Sequence, residues 1–525
     1  MASERKAVVS PRRVSAQAAL AGALAVGVAL GAGELLGALS ARLVSPVTAV
    51  SQELIPLAPS GLVSWAIAAL GQANTVVLEV GTVVLALAIG AGTGVLGRRS
   101  LAAATLVFAV FAVVGVVASL EQPGVTLAGA IAGSGTAALV GALTLWVLAR
   151  RLPVPVQADG ISQAAVPTEP PVARRSFLGL AAGLGAAAVM TAAGSRLLLS
   201  RYVGGTDPAS VTLPAPARSL GDVPAGATLD VDGLTPLLTP NDQFFRIDTA
   251  LAVPRVNVDG WTLSVRGMVE RELELTYDDL LAARLVEVDS TLACVSNEVG
   301  GSLIGTARWL GVRLDDLLEQ AGIDSRAGQV VGRSVDGFTA GFPLEAALDG
   351  RDALVAVGMN GEPLPARHGF PARLVVPGLF GYVSATKWLE AIEVTTWEGF
   401  DGYWVPRGWA KQAPLKTGSR IDVPRGDDAP VPAGEVVVAG VAWAARSSVA
   451  RVEVEVDGDW REAELSRPLS EDTWVQWRLV TTLGEGEHRL RVRATDGQGR
   501  LQPQGPAPVQ PDGAEGWHAR RVRVG

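Results

Sequence analysis

The sequence predicts a multi-domain chain: an α-helical transmembrane bundle, then an α+β domain, then an all-β sandwich. Three observations predict it. Apolarity is uneven along the 525 residues: the chain is 49% hydrophobic and 18% charged, with mean hydropathy +0.31, and the apolar runs lie before residue 200. Leu237–Trp397 mixes short strand-like and helix-like segments. After the Asp- and Pro-rich stretch Asp422–Pro432, alternating segments follow one another between Gly/Asp turns. These shifts place the domains at 1–202, 203–424 and 425–525.

In the first domain, Ser15–Leu39, Thr75–Leu96, Leu101–Leu120, Val125–Leu148 and Phe177–Ser195 read as spanning helices. Each approaches the ~20 apolar residues that a bilayer core demands. Leu54–Leu70 is broken by Pro56, Pro59 and Gly61 and reads as a re-entrant or interfacial piece. Arg5, Lys6, Arg12 and Arg13 precede the first helix. Arg98 and Arg99 separate the second from the third, and Arg150, Arg151, Arg174 and Arg175 separate the fourth from the fifth. The other two loops carry only Arg42. The positive-inside rule then puts the N-terminus in the cytoplasm and everything after the fifth helix outside the cell membrane; Arg196 and Arg201 weigh against it. Val154–Pro171 reads as a linker. It leads into Ala173-Arg174-Arg175-Ser176-Phe177-Leu178-Gly179, which resembles a twin-arginine translocation signal, with an ordinary positively flanked anchor as the alternative. The three histidines, His368, His488 and His518, all lie after the helices, so no b-type haem is expected in the membrane.

In the second domain, Val211–Pro224 reads as a linker. Leu263–Val265, Leu354–Val357 and Leu374–Val376 read as strands, and Tyr277–Ala282, Leu314–Ala321 and Leu344–Leu348 as helices. In the third, Glu435–Val441, Ser448–Val456, Thr473–Val480 and His488–Thr495 read as strands of a sandwich.

Cys294 is the only cysteine, so no intrachain disulfide forms. Alone, it is a buried hydrophobe, a nucleophile or a soft metal ligand. Four blocks carry a resemblance over about Thr239–Gly525. The first is Thr239-Pro240-Asn241-Asp242-Gln243-Phe244-Phe245-Arg246, with Val253-Pro254 and Trp261 after it. The second is the Cys294 region, running on through Ile304–Leu318. The third runs from Met359-Asn360-Gly361-Glu362-Pro363 through Arg367-His368-Gly369-Phe370-Pro371-Ala372-Arg373 to Gly378, and on to Lys387-Trp388-Leu389. The fourth is Gly516-Trp517-His518. In these blocks the chain resembles the sulfite oxidase family of molybdopterin oxidoreductases, whose C-terminal immunoglobulin-like domain serves dimerisation.

The resemblance implies a sulfite-oxidase-type molybdopterin domain in which the Cys294 thiolate ligates molybdenum, a soft ligand for a redox metal. It implies cofactor contacts at Asn241, Phe245, Arg246, His368 and Arg373, and at Ser384, Thr386 and Lys387, with Ser334 as a further candidate. Lys387 stands one residue further from Arg373 than the family spacing. For Asn297 and Arg308 the structural and functional readings stay open. Where sulfite-oxidising members place arginines after Cys-x-x-Asn, this chain has Glu298 and Val299; Phe338 replaces their tyrosine, and Ile247-Asp248-Thr249 replaces Arg-Asn-His. These departures point away from sulfite.

The expected function is two-electron oxygen-atom transfer on a small or S-/N-oxide-type substrate, outside the membrane, using a molybdenum–molybdopterin cofactor. Expected partners are the lipid bilayer, a separate redox carrier protein or quinone, and a second copy bound through the sandwich. The competing class is a degenerate member acting as a membrane-bound binding or assembly module. With net charge −8 and pI about 5.2 there is no basic stripe, and nucleic acid is not expected.

Overall fold

The computed structural model describes residues 11–39, 45–54, 74–121, 125–151, 179–191, 194, 205–250, 253–425 and 430–525. The chain divides into two compact units, Met1–Gly204 and Gly205–Gly525.

In the first unit, four helices among the described residues are long and apolar enough to cross a membrane: Ser15–Gly37, Val77–Gly97, Leu101–Leu120 and Leu127–Ala149. The segment expected as a fifth span contains a described helix only over Gly179–Thr191, shorter than a bilayer crossing. The twin arginines, the linker Val154–Pro171 and nearly all of Leu54–Leu70 lie outside the described residues. The helices pack through small residues. A Cβ on Gly22 would stand 2.0 Å from the Gly90 carbonyl oxygen, and one on Gly94 would stand 1.9 Å from that of Ala18. Only glycine lets these backbones touch. Ser51, Thr93, Ser119 and Ser134 are buried, while Val84, Leu106, Val113 and Leu139 are exposed. Large apolar side chains are thus found outward as well as inward, where Phe108, Leu145 and Leu148 are buried, and the exposed ones are unlike the surface of a water-soluble bundle.

The second unit opens with an irregular segment. Val211–Pro224 contains no strand, yet it is not free of the fold. Ala217 N–H donates to Leu285 O (2.8 Å), Glu287 N–H to Arg218 O (2.9 Å) and Leu220 N–H to the Glu287 carboxylate (2.8 Å). The segment covers the edge of strand Leu285–Ala293, which would otherwise expose unpaired backbone groups.

Two five-stranded sheets follow. In one, the order is Leu285–Ala293, Ile304–Arg313, Leu354–Met359 and Glu362–Pro363, with Arg373–Val375 also pairing to Leu354–Met359. In the other it is Leu273–Thr276, Thr262–Gly267, Leu389–Thr395, Gln329–Ser334 and Thr339–Pro343. Helices Tyr277–Ala282 and Leu314–Ala321 form where expected. The first is set by a capping box in which Thr276 and Asp279 satisfy each other's backbone N–H groups.

The C-terminal part is all-β, with two four-stranded sheets. One runs Gly418–Val423, Gly434–Trp443, Val475–Leu483, Glu464–Leu465. The other runs Asp459–Glu462, Val449–Val456, Gly486–Asp496, His518–Val524. The first strand starts at Gly418, upstream of the expected boundary at 425, because it pairs with Gly434–Trp443. Val441, Trp443 and Trp474 of this part belong to the α+β core. Trp474 Nε1–H donates to Leu237 O (2.7 Å), and Thr291 N–H to Asp472 O (2.9 Å). The two lobes therefore share one buried seam.

Candidate active site

Strand Leu285–Ala293 ends one residue before Cys294, which is 8% exposed. Cys294 N–H donates to Leu303 O (2.9 Å), and Asn297 Oδ1 accepts from Leu303 N–H (2.8 Å). These bonds close the 294–303 loop and fix the cysteine at its base. Burial pushes the thiol pKa up, while the Ser296 N–H and hydroxyl, both donating to sulfur, oppose the rise. A thiolate here needs further positive charge, which a metal ion supplies.

Ladder pairing brings Leu292 opposite Gly305, and a Cβ on Gly305 would meet the Phe244 ring at 2.9 Å. Phe244 carries the first block into the site. It stacks on Phe245 with centroids 5.1 Å apart, and meets His368 edge-on at 5.8 Å. His368 is 1% exposed, and its Nε2 lies 2.7 Å from Asn241 O. Burial, helped by Arg373, Arg367 and Arg246, lowers its pKa to about 4, against the Asn241 bond. The ring is therefore neutral at pH 7, with the proton on Nε2 donated to Asn241 and Nδ1 left as an acceptor. Asn241 is held in turn: its Nδ2 donates to Met359 O (3.2 Å) and its Oδ1 accepts from Asn360 (2.8 Å).

Gly369 gathers the cations. With φ +114° it adopts a backbone that side chains disfavour, and a Cβ there would meet Lys387 at 3.0 Å and Arg373 at 3.1 Å. Arg373 is 5% exposed. Its guanidinium donates to His368 O (3.0 Å) and lies 4.9 Å from the centre of the Trp309 ring. Among the described residues no carboxylate pairs with it, and burial lowers its pKa to about 9. Lys387 lies over Trp388 at 4.8 Å, and burial, then Arg246, pushes its pKa well down. Asp248, with 4% of its side chain exposed, forms ion pairs with both Lys387 and Arg246.

Thr386 is fully buried and its hydroxyl has no partner among the described residues; the same holds for Arg367 Nε. A buried cation without an anion and two polar groups without partners each cost free energy. An anionic ligand at Arg373 would relieve the first of these costs. The donor set therefore fits a molybdopterin, whose phosphate would take the cations and whose metal would take the thiolate.

Other expected residues are placed differently. Ser384 is buried, and its hydroxyl donates to Phe380 O (3.0 Å) inside the turn Gly381–Ser384. That turn lies near Cys294: a Cβ on Gly381 would stand 3.6 Å from Ala293 O. Ser334 ends strand Gln329–Ser334, where its hydroxyl accepts from Asp336 N–H at 3.4 Å. Two residues earlier on that strand, a Cβ on Gly332 would meet Thr386 Oγ1 at 2.5 Å. Arg308 forms a two-pronged ion pair with Asp289, both contacts at 2.9 Å, and is structural. Asn297 closes its loop. Sequence reasoning missed Asp248 as a partner of the cofactor cations. Its signal was an acidic residue two positions after Arg246, but its bond to Lys387 crosses from one block to another.

Beside the Cys294 loop is a cleft between the α+β lobe and the sandwich. Glu298, Val299, Phe380, Lys416, Trp443 and Glu515 line it. Lys416 bridges Asp512 (3.0 Å) and Glu515 (2.9 Å), which hold its pKa above the usual lysine value against desolvation. Phe338 packs on Tyr403 with centroids 5.9 Å apart.

Comparison with known proteins agrees with this chemistry. Residues 250–404 match the model of the oxidoreductase molybdopterin binding domain family. The chain is 33% identical over 335 residues to human mitochondrial sulfite oxidase, covering 54% of this chain and 59% of that protein. To chicken sulfite oxidase it is 32% identical over 336 residues, covering 54% of this chain and 71% of that one. To the uncharacterized oxidoreductase YuiH of Bacillus subtilis it is 37% identical over 149 residues, 28% of this chain and 72% of the relative. Of the rat mitochondrial enzyme it spans 62% of the length. The solved sulfane dehydrogenase SoxCD of Paracoccus pantotrophus aligns with TM-score 0.49 and 23% identity, covering 55% of this chain and 84% of that one.

Proposed function

Because this chain belongs to the sulfite oxidase family of molybdopterin-dependent oxidoreductases, we propose that it transfers an oxygen atom to or from a small S- or N-oxide at a molybdenum site held by Cys294. The observation that carries this reading is Arg373, a buried cation with no carboxylate partner among the described residues, in the same sheet as the strand that leads to the buried solitary thiol. When bound, the cofactor supplies the two-electron couple. For a sulfoxide the balance is one oxide, two protons and two electrons in, one thioether and one water out. The electrons come from an external carrier protein or quinone.

The residues divide the work. Arg373, Lys387, Arg246 and Thr386 hold the anionic end of the cofactor. Asn241 and neutral His368 keep its hydrogen-bonding edge in register, and Phe245 and Ser384 shape the wall. Ser334 is a further contact. Glu298 and Val299 stand in the substrate cleft where an oxyanion needs donors, so a dianion is disfavoured there. The intact cluster speaks against a non-catalytic assembly module.

The same reading anchors the chain in the cell membrane through its first unit, places the catalytic unit on the outer side by counting Phe177–Ser195 as a fifth crossing, and assigns 1–202, 203–424 and 425–525 to membrane, molybdopterin and immunoglobulin-like domains. The four long apolar helices and their outward-facing valines and leucines support the anchor. The distribution of arginines supports the orientation. The sandwich is the surface for a second copy. Metal and pterin analysis of the purified chain, with a screen of sulfoxides, amine N-oxides and sulfite against reduced and oxidised dyes, tests the reading. Molybdenum near one per chain with turnover of an oxide supports it; a metal-free, inactive chain overturns it.

A further inference from the structure

The cleft beside the Cys294 loop has an electrostatic character that goes beyond the loss of arginines. Its lining brings two carboxylates, Glu298 and Glu515, against one cation, Lys416. Lys416 is already committed. Its ammonium is held by Asp512 at 3.0 Å, Glu515 at 2.9 Å and Gly513 O at 3.0 Å, which uses its three donors. No donor remains on it to greet an anion. Glu298 is exposed and has no ion pair among the described residues. Val299, Phe380 and Trp443 line the same cleft. The cleft thus offers a free exposed carboxylate, a cation neutralised twice over, and apolar side chains. Such a site attracts a positive charge carried on an apolar body.

We propose that Glu298 is the specificity-determining residue of this cleft, and that the preferred substrate carries a cationic group, such as an ammonium, beside the oxide it exchanges. This rests on the oxygen-atom-transfer reading above and narrows its substrate class. Glu298 meets the cation of the substrate, while Lys416, its donors taken by Asp512, Glu515 and Gly513 O, offers nothing to an anion. An ion pair near a protein surface is worth on the order of 1 kcal/mol, or about fivefold in affinity. Discrimination between matched cationic and neutral substrates is therefore modest but measurable, and it weakens with salt.

The test uses the full-length holoenzyme and a pair of sulfoxides of equal size, one ending in an ammonium and one in a hydroxyl. Binding to the oxidised enzyme is measured by calorimetry, and turnover with a reduced viologen dye as electron donor. The expected result is about fivefold tighter binding and higher kcat/KM for the cationic compound at low salt, abolished in Glu298→Gln and reversed in Glu298→Lys. Glu487→Gln, an exposed carboxylate on the sandwich away from the cleft, leaves the ratio unchanged. Equal binding of the two compounds by the wild type, or a preference that survives Glu298→Lys, overturns the inference. If the cationic compound binds selectively yet neither is turned over, the selectivity of the cleft stands and the oxygen-transfer reading fails.

Discussion

The two sides of the Cys294 region differ in charge. Toward the first and third sequence blocks, Arg246, Arg373 and Lys387 converge with a single carboxylate, Asp248, among them, and Arg373 and the Asp248 side chain are buried. Toward the sandwich, Glu298, Asp512 and Glu515 outnumber Lys416, and the cleft is open. A buried excess of cations costs stability unless an anion completes it. An open excess of carboxylates costs little, because water solvates it. On the proposed reading the cation-rich side holds a resident ligand and the acidic side a passing one.

The comparison breaks most completely at the cysteine both sides share. Cys294→Ser removes the soft ligand with little change in volume. The fold should persist, while activity and the thiolate-dependent Mo(V) spectrum are lost; an unchanged spectrum removes Cys294 from the metal.

Next in size is Arg373→Met. It should cut retained molybdenum and pterin by at least about tenfold, since a charge-assisted contact to phosphate contributes ~1.5–3 kcal/mol. The same substitution should raise the melting temperature of the cofactor-free protein, because it removes an unpaired buried charge. Lower melting in both forms assigns Arg373 a purely structural role.

Asp248→Asn sharpens the same side. Removing one member of a buried ion-pair group costs ~3–5 kcal/mol, here by leaving Lys387 and Arg246 without their carboxylate. The loss in thermal stability should be smaller with cofactor bound, as its phosphate takes over part of the role. Equal losses in both forms separate Asp248 from the cofactor.

A smaller effect appears with acid. His368 and His518 both have pKa values lowered to about 4, chiefly by burial. His518 Nδ1 accepts from Ile421 N–H (2.9 Å), a bond only the unprotonated nitrogen can make. Between pH 6.5 and 4 the unfolded chain binds protons that the folded one does not. Stability is therefore full above pH 6.5 and falls through this window, by up to ~1.4 kcal/mol per pH unit for each histidine. His518→Gln should flatten the slope measured by urea unfolding at stepped pH; an unaltered slope denies the histidine its part.

The smallest change is on the acidic side. Glu298→Arg with Phe338→Tyr should raise sulfite turnover weakly over the wild type, since the supporting residues for an anion are still missing. Efficient sulfite oxidation by the unmodified protein would show that another residue holds the anion.

Much of the fold was legible because it is local. The capping box at Thr276 and the apolar spacing of Leu314, Leu317 and Leu318 write their helices into adjacent residues. The alternation in 435–495 writes the strands of the C-terminal part. The segment Val211–Pro224 was misleading for the same reason: its composition says linker, and only hydrogen bonds to Glu287 and Leu285 tie it down. In the site, Cys294, His368, Arg373 and Lys387 stood out in their blocks. Asp248 did not, because its meaning comes from Lys387 across the fold. Lys416 did not, because Asp512 and Glu515 lie nearly a hundred residues further on.

The sequence by itself determined the order of the parts, the apolar helices, the solitary thiol and the family of the catalytic half, since each is carried by composition, periodicity or contiguous motifs. Tertiary structure alone decided which charges meet. Strand pairing and the turn at Gly369 bring Arg373 and Lys387 together, and the buried seam with the sandwich sets Glu515 against the Cys294 loop. Coulomb energies depend on distance and on exclusion of water, and neither is written in any one stretch of chain.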